Sequence, residues 1–97
     1  MSVKVGLWVR LEAAAGREND LADFLRSGQS LVEQEPGTTV WYAVQLGPSS
    51  FAIFDAFEDD GGRDAHLDGA VAKALGANAD MFSEPPSIER VDVLASK

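Results

Sequence analysis

The 97-residue sequence contains no cysteine and only one histidine. Without cysteine the chain forms no disulfide, has no thiolate nucleophile and offers no thiolate to a metal. One histidine, His66, does not supply the ligand set of a typical zinc site. We therefore expect neither thiol chemistry nor a bound metal.

Basic residues are also scarce, because 8 Lys and Arg stand against 16 Asp and Glu, for a formal net charge of −8. Nucleic acids and anionic membranes are bound through clustered Lys and Arg, whereas these residues are scattered, so we expect neither partner. The sequence has no apolar run of membrane-spanning length, and a strand pattern begins at once, with no signal segment before it. We expect a cytoplasmic protein with a single domain, residues 1–97.

Apolar residues recur with strand and helix periods in a definite order. The segments are strand 3–11, helix 21–32, hairpin 40–57, helix 67–78 with a possible kink at 68–69, and strand 88–94. Strand, helix, strand, strand, helix, strand is the order of the ferredoxin-like fold. The sequence therefore predicts an α+β protein, βαββαβ, with an antiparallel four-stranded sheet and helices on one face.

The central hairpin decides which side chains face the helices. Its two apolar runs flank a predicted four-residue connector, Gly47–Ser50. This connector pairs Tyr42 with Asp55 and Val40 with Phe57. Because side chains alternate along a strand, all four are expected to face the helices.

The opposite face of the sheet is expected to carry five larger side chains: Trp8, Arg10, Trp41, Gln45 and Phe54. Two Trp and one Phe among small alanines form an apolar patch that a monomer rarely exposes. A second copy packed sheet against sheet would cover this patch. We therefore expect a two-fold homodimer.

Three stretches resemble the antibiotic biosynthesis monooxygenase family of the dimeric α+β barrel superfamily. They are Glu-Pro-Gly-Thr at 35–38, Phe-Ala-Ile-Phe-Asp-Ala-Phe-Glu-Asp-Asp at 51–60, and Arg-Asp-Ala-His-Leu at 63–67. The resemblance covers nearly the whole chain, and the order and spacing of the stretches carry it. It implies a dimeric α+β barrel that oxidises phenolic, quinol or polyketide-type aromatic substrates with O₂ and no cofactor.

A neighbouring branch of that family degrades haem, and this chain departs from its pattern. Val9 and Phe57 align with an Asn and a Trp of that branch, and the second helix has no histidine beyond His66. The axial ligand is therefore missing, and we expect no haem. Other members have no known activity, so a non-catalytic ligand-binding protein and a proton-transfer isomerase or decarboxylase remain as alternatives.

Asp55 and His66 are the candidate catalytic residues. Asp55 is predicted to lie in mid-strand facing the helices, where a carboxylate loses its water and needs hydrogen-bond donors. His66, near the start of the second helix, is the one side chain that titrates near neutrality when unperturbed. Together they would remove a proton from a substrate hydroxyl. The alternative is a purely structural polar contact.

Three further residues are candidates for substrate binding. Tyr42 is expected to donate to Asp55 and to orient a small aromatic ligand, and Phe57 to form the wall of its pocket. Asn78 falls on the apolar stripe of the second helix, where it would contact the ligand or cap a kink.

Overall fold

The computed structural model describes residues 2–97, and this range contains four strands and three α-helices. In chain order they are β1 (Val5–Glu12), α1 (Glu18–Val32), β2 (Val40–Gln45), β3 (Ser50–Phe57), α2 (Asp60–Leu67), α3 (Ala70–Ala77) and β4 (Ser87–Asp92). A single 3₁₀ turn, Ala79–Met81, precedes β4. The predicted α+β class and its βαββαβ order are confirmed, but the second helix is divided in two and begins at Asp60, seven residues before the predicted range 67–78.

The strands form one antiparallel sheet in the order β2-β3-β1-β4. Leu7, Val9 and Leu11 of β1 are buried, as the period-two pattern predicts for the face under the helices. Opposite them in register lie Asp55, Ile53 and Phe51 of β3, which are also buried. None of the helices in residues 2–97 combines the length and the apolar character needed to cross a membrane.

Helix α1 packs on this face through Leu21, Leu25 and Val32, which are buried at helical spacing. Gly28 lies on the same stripe. A Cβ added to Gly28 would lie 3.5 Å from the indole ring of Trp41. A Cβ at this position would make ordinary van der Waals contact with the ring, so the helix lies close to Trp41 here.

The register of the hairpin differs from the prediction by one residue. Ser50 belongs to β3, and Leu46 donates its backbone N–H to the Ser50 carbonyl at 2.8 Å. This pairing leaves a turn of three residues, 47–49, in place of the predicted four. Trp41 therefore pairs with Asp55, and Tyr42 pairs with Phe54. A slip of one residue moves every side chain of a strand to the other face.

Side chains of β2 accordingly lie on the faces opposite to those predicted. Trp41 and Gln45 share the helix-facing side with Asp55, whereas Tyr42 lies on the open face of the sheet beside Phe54. The open-face placement of Trp8, Arg10 and Phe54 agrees with the prediction, because these residues pair across β1 and β3 at even positions.

The second helical region is interrupted where the sequence favours a kink. Asp59 caps α2, its Oδ1 accepting from the N–H of Gly62 at 2.9 Å. Helix α2 ends at Leu67, where the N–H of Gly69 bonds back to the carbonyl of His66 at 2.9 Å. Helix α3 begins at Ala70, and Gly69 is its N-cap residue in an extended conformation. The break leaves His66 in the last turn of α2.

Candidate functional site

His66 lies between two carboxylates under the sheet. Its Nδ1 is 2.6 Å from Oε1 of Glu35, and its Nε2 is 3.0 Å from Oδ2 of Asp55. The side chains of His66 and Asp55 are 7% and 1% exposed, and that of Glu35 is 18% exposed. We call these three residues the carboxylate–histidine cluster.

The segment after α1 carries Glu35 to the cluster. Its side chain is fixed by Thr38, whose Oγ1 donates to Oε1 of Glu35 at 2.8 Å. The same segment passes very close to the start of α2, since a Cβ added to Gly62 would lie 2.8 Å from the carbonyl oxygen of Gly37. Two glycines therefore permit the backbone approach that joins Glu35 to His66.

Arg63 fixes α2 against the sheet. Its buried guanidinium lies within hydrogen-bonding distance of the backbone carbonyls of Gly6 and Val91 (3.3 and 3.4 Å), and it pairs with Asp60 at 3.1 Å. Because Arg63 precedes His66 by three residues, it holds the same helical face on which the imidazole stands. The position of His66 is thus set by a cation that bridges β1 and β4.

The electrostatics of the cluster favour the imidazolium form of His66. Burial by itself lowers the pKa of His66, because desolvation penalises the charged form. Contacts with Asp55 and Glu35 outweigh this penalty, and the pKa is raised above its ordinary value of about 6.5. The protonated cluster carries one positive and two negative charges.

Several buried polar atoms of the site have no hydrogen-bond partner among residues 2–97. They are Oε2 of Glu35, Nε1 of Trp41 and both carboxylate oxygens of Asp55. The 3.0 Å contact between His66 and Asp55 is therefore an ion pair without a well-aligned hydrogen bond. Unsatisfied buried polar groups cost free energy, and they are frequent where a ligand or a proton is handled.

The cluster opens to solvent on the Glu35 side. A groove with a cavity volume of ≈ 230 Å³, lined by Glu35, Thr38 and Trp41 among others, lies between the end of α1 and β2. We call it the Glu35 groove. Glu35 is thus the member of the cluster that a molecule in this groove meets first, with His66 and Asp55 behind it. The arrangement can take up a proton at the groove and hold it in the interior.

The predicted proximity of Asp55 and His66 is confirmed, and their catalytic role stays a prediction. Phe57 is fully buried and packs on His66, with ring centroids 5.5 Å apart. The expected donation from Tyr42 to Asp55 is wrong, because the hairpin register places the 62% exposed Tyr42 on the other face. Asn78 ends α3 and donates its side-chain amide to the Ala74 carbonyl at 2.8 Å, so it caps its own helix.

Glu35 and Trp41 belong to the site although sequence reasoning assigned neither to it. Glu35 stands in the Glu-Pro-Gly-Thr stretch at 35–38, which supports only the family resemblance. Its partner His66 is 31 residues away, so no local spacing connects the two. Trp41 was placed on the open face by the wrong register.

Neither the scan of protein-family models nor the search of curated proteins matches the chain. Among solved structures, the NE2512 protein from Nitrosomonas europaea, of unknown function, is 54% identical, with a TM-score of 0.96. The alignment covers 98% of this chain and 93% of that protein.

Two more distant solved structures have the same fold. PA3566 from Pseudomonas aeruginosa is 20% identical with a TM-score of 0.83, and the alignment covers 98% of both chains. A candidate antibiotic biosynthesis monooxygenase from Nitrosomonas europaea is 18% identical with a TM-score of 0.83, covering 94% of this chain and 99% of that one. The ferredoxin-like α+β fold of the chain is therefore confirmed, whereas the dimer stays a prediction.

Proposed function

Because this chain belongs to the family of the Nitrosomonas europaea protein NE2512 and has the fold of antibiotic biosynthesis monooxygenases, we propose that it is a cofactor-independent monooxygenase. Its substrate is a small phenolic, quinol or polyketide-type aromatic molecule. The observation that carries the proposal is the carboxylate–histidine cluster, with unpartnered carboxylate oxygens next to a groove walled by Trp41.

The chemistry begins with the substrate hydroxyl. A flat ring placed against Trp41 in the Glu35 groove would bring its hydroxyl to the Glu35 carboxylate, which lines the groove. Transfer of the hydroxyl proton to the cluster leaves an electron-rich aryloxide. His66 stabilises the charge on Glu35 at 2.6 Å, and Asp55 holds the imidazole from the other side.

The aryloxide then reacts with O₂, which is the second substrate. A ring carbon forms a bond to one oxygen atom of O₂, the O–O bond breaks, and the other oxygen leaves as water together with the ring hydrogen and the hydroxyl proton. A phenol and one O₂ thus give a quinone and one water. The aromatic substrate supplies all the electrons, so the balance requires no external reductant.

An oxygen electrode tests this proposal directly. Purified protein is mixed with naphthols, quinols and polyketide-like phenols that stabilise it in a thermal-shift screen. We expect oxygen uptake matched by quinone formation, with a large loss of kcat in His66→Gln and Asp55→Asn. Uptake that is unchanged in both variants would remove the cluster from the mechanism.

The alternative functions give different results in the same experiment. A ligand-binding protein is stabilised by a probe that it leaves unchanged. An isomerase or decarboxylase converts its substrate in the absence of O₂. Product formation under anaerobic conditions would therefore contradict the monooxygenase function and indicate proton-transfer chemistry at the same cluster.

We also propose that the protein is a homodimer. The open face of the sheet bears Trp8, Tyr42, Phe54 and Val91, a set of side chains that is mostly apolar. Pairing this face with that of a second copy would remove it from water. Light scattering at micromolar concentration should give twice the chain mass of 10.3 kDa, and a monomer mass would contradict the proposal.

A further inference from the structure

A second groove continues the Glu35 groove along α1 and β2. Its cavity volume is ≈ 430 Å³, and its walls include Leu25, Arg26 and Phe51. Gln29 and Trp41 line both grooves, so the two meet at these side chains. We call the second one the Arg26 groove. It lies on the side of Trp41 that is farther from the carboxylate–histidine cluster.

The two adjoining grooves, which together we call the cleft, have opposite chemistry. The Glu35 end carries a carboxylate, which accepts a proton. The Arg26 groove carries the guanidinium of Arg26, and the side-chain amide of Gln29 lies beside it where the two grooves meet; both donate hydrogen bonds. Between them lie the indole of Trp41 and the ring of Phe51, which suit a flat apolar body.

Arg26 is free to turn toward a ligand. Its ion pair with Asp23, at 2.8 Å, is formed by side chains that are 75% and 76% exposed. Exposed pairs of this kind contribute little stability and exchange readily. The remaining N–H groups of the Arg26 guanidinium can donate to the carboxylate of a ligand, which Arg binds in bidentate fashion.

The length of the cleft sets the size of the molecule. From Trp41 to Gln45, which both line the Arg26 groove, β2 advances roughly 13 Å at 3.3 Å per residue, and the Glu35 groove extends the cleft beyond Trp41. A ligand with one aromatic ring does not reach from one end to the other, whereas two fused rings with a substituent at each end come close. Cavities of this size are usual for small-molecule sites.

We propose that the substrate is a fused aromatic hydroxy acid that spans the cleft. Its hydroxyl lies at Glu35, its ring system against Trp41, and its carboxylate at Arg26 and Gln29. This inference rests on the proposed function, since the cluster determines which end of the molecule reacts. Arg26 is a binding residue for the carboxylate and takes no part in the proton transfer.

A matched set of probes tests the proposal by binding. The probes are 6-hydroxy-2-naphthoate, its neutral amide 6-hydroxy-2-naphthamide, and 2-naphthol, which lacks the second group. Affinity is measured by quenching of Trp41 fluorescence in a Trp8→Phe background, because the chain has 2 Trp. We expect the acid to bind about fivefold more tightly than the amide or the naphthol at low salt. High salt should reduce this preference.

Arg26→Gln should abolish the preference for the acid. The matched control is Arg90→Gln, since Arg90 is also exposed and paired with an acid, Asp64 at 3.6 Å, but lies on the opposite edge strand of the sheet. We expect Arg90→Gln to keep the full preference. Equal affinities for the three probes in the parent protein, a preference that survives Arg26→Gln, or no binding of any probe would each overturn the proposal.

The same probes separate this inference from the proposed function. Oxygen uptake is recorded with each probe in parallel with binding. A preference for the acid that depends on Arg26 but is not accompanied by oxygen uptake would support the proposed ligand class and contradict the monooxygenase function. Oxygen uptake with 2-naphthol and the acid at equal kcat/KM would retain the monooxygenase and reject the role of Arg26.

Discussion

Replacing Glu35 by Gln is the most informative single change in the carboxylate–histidine cluster. The substitution keeps the shape of the side chain and its acceptor oxygen for Thr38, but removes the negative charge 2.6 Å from Nδ1 of His66. We expect it to lower the pKa of His66, because one of the two carboxylates that raise this pKa is lost. Asp55 remains as the second partner at 3.0 Å.

The effect on stability should depend on pH with a definite sign. Since the pKa of His66 is raised on folding, the ion pairs contribute in full below the unfolded value of about 6.5 and are lost as the pH rises through the folded value. A charge-assisted hydrogen bond contributes about 2 kcal/mol. At pH 5.5 Glu35→Gln should therefore lower the free energy of unfolding by about 2 kcal/mol, or Tm by roughly 8–16 °C for a chain of this size.

Above the folded pKa the imidazole is neutral, and the loss should shrink to less than about 1 kcal/mol. The pKa is measured by NMR titration, which gives one imidazole signal because the chain has a single histidine. Urea unfolding at several pH values gives the stability. Glu33→Gln, at an exposed acid next to the end of α1, is the control. A histidine pKa at or below 6.5 in the parent protein would refute the reasoning.

Two further changes probe neighbouring contacts. Asp55→Asn keeps the volume of a fully buried side chain but removes its charge, so we expect kcat for oxygen uptake to fall by about 10²–10⁴. Gly69→Ala would place a Cβ 2.5 Å from Oε2 of Glu35 and displace this carboxylate, which should lower the histidine pKa in the NMR titration. Its control is Gly76→Ala in α3, where a Cβ meets no described atom within 4 Å; urea unfolding should show a gain of about 0.5–1 kcal/mol.

Most of the fold could be predicted because the sequence determines it locally. The odd positions of β1 and the stripe of α1 each depend on residues close in the chain, and both agree with the structure. The hairpin register depends on one residue, Ser50, which is compatible with either the connector or the strand. Both faces of β2 are largely apolar, so the pattern alone did not choose between the two registers.

The site was only partly predictable for a different reason. Asp55 was found because a charged residue in an apolar strand is conspicuous, and His66 because it is the single histidine. Glu35 looks like any acid at the end of a helix until the Gly37–Gly62 approach brings it to α2. That approach is a tertiary contact between segments far apart in the chain, which no periodicity indicates.

Replacing all three residues of the carboxylate–histidine cluster tests whether the cluster serves catalysis or the stability of the fold. A buried carboxylate and a half-buried one with unpartnered oxygens are a poor way to stabilise a core, and apolar side chains of similar volume are often equal or better. We therefore expect the triple variant Glu35→Met, Asp55→Leu, His66→Phe to be at least as stable as the parent protein at pH 8 but inactive in oxygen uptake.

The single variant His66→Phe provides the contrast, because it leaves the buried Asp55 and the half-buried Glu35 without their cation. It should lose about 3–5 kcal/mol in urea unfolding, and the two further substitutions should restore most of that loss. If the triple variant is instead as unstable as the single one, the cluster is needed to hold the fold together. The unpartnered oxygens would then no longer support a role in proton transfer. Recovery of stability without recovery of activity would mean that these three residues are retained for chemistry at the groove.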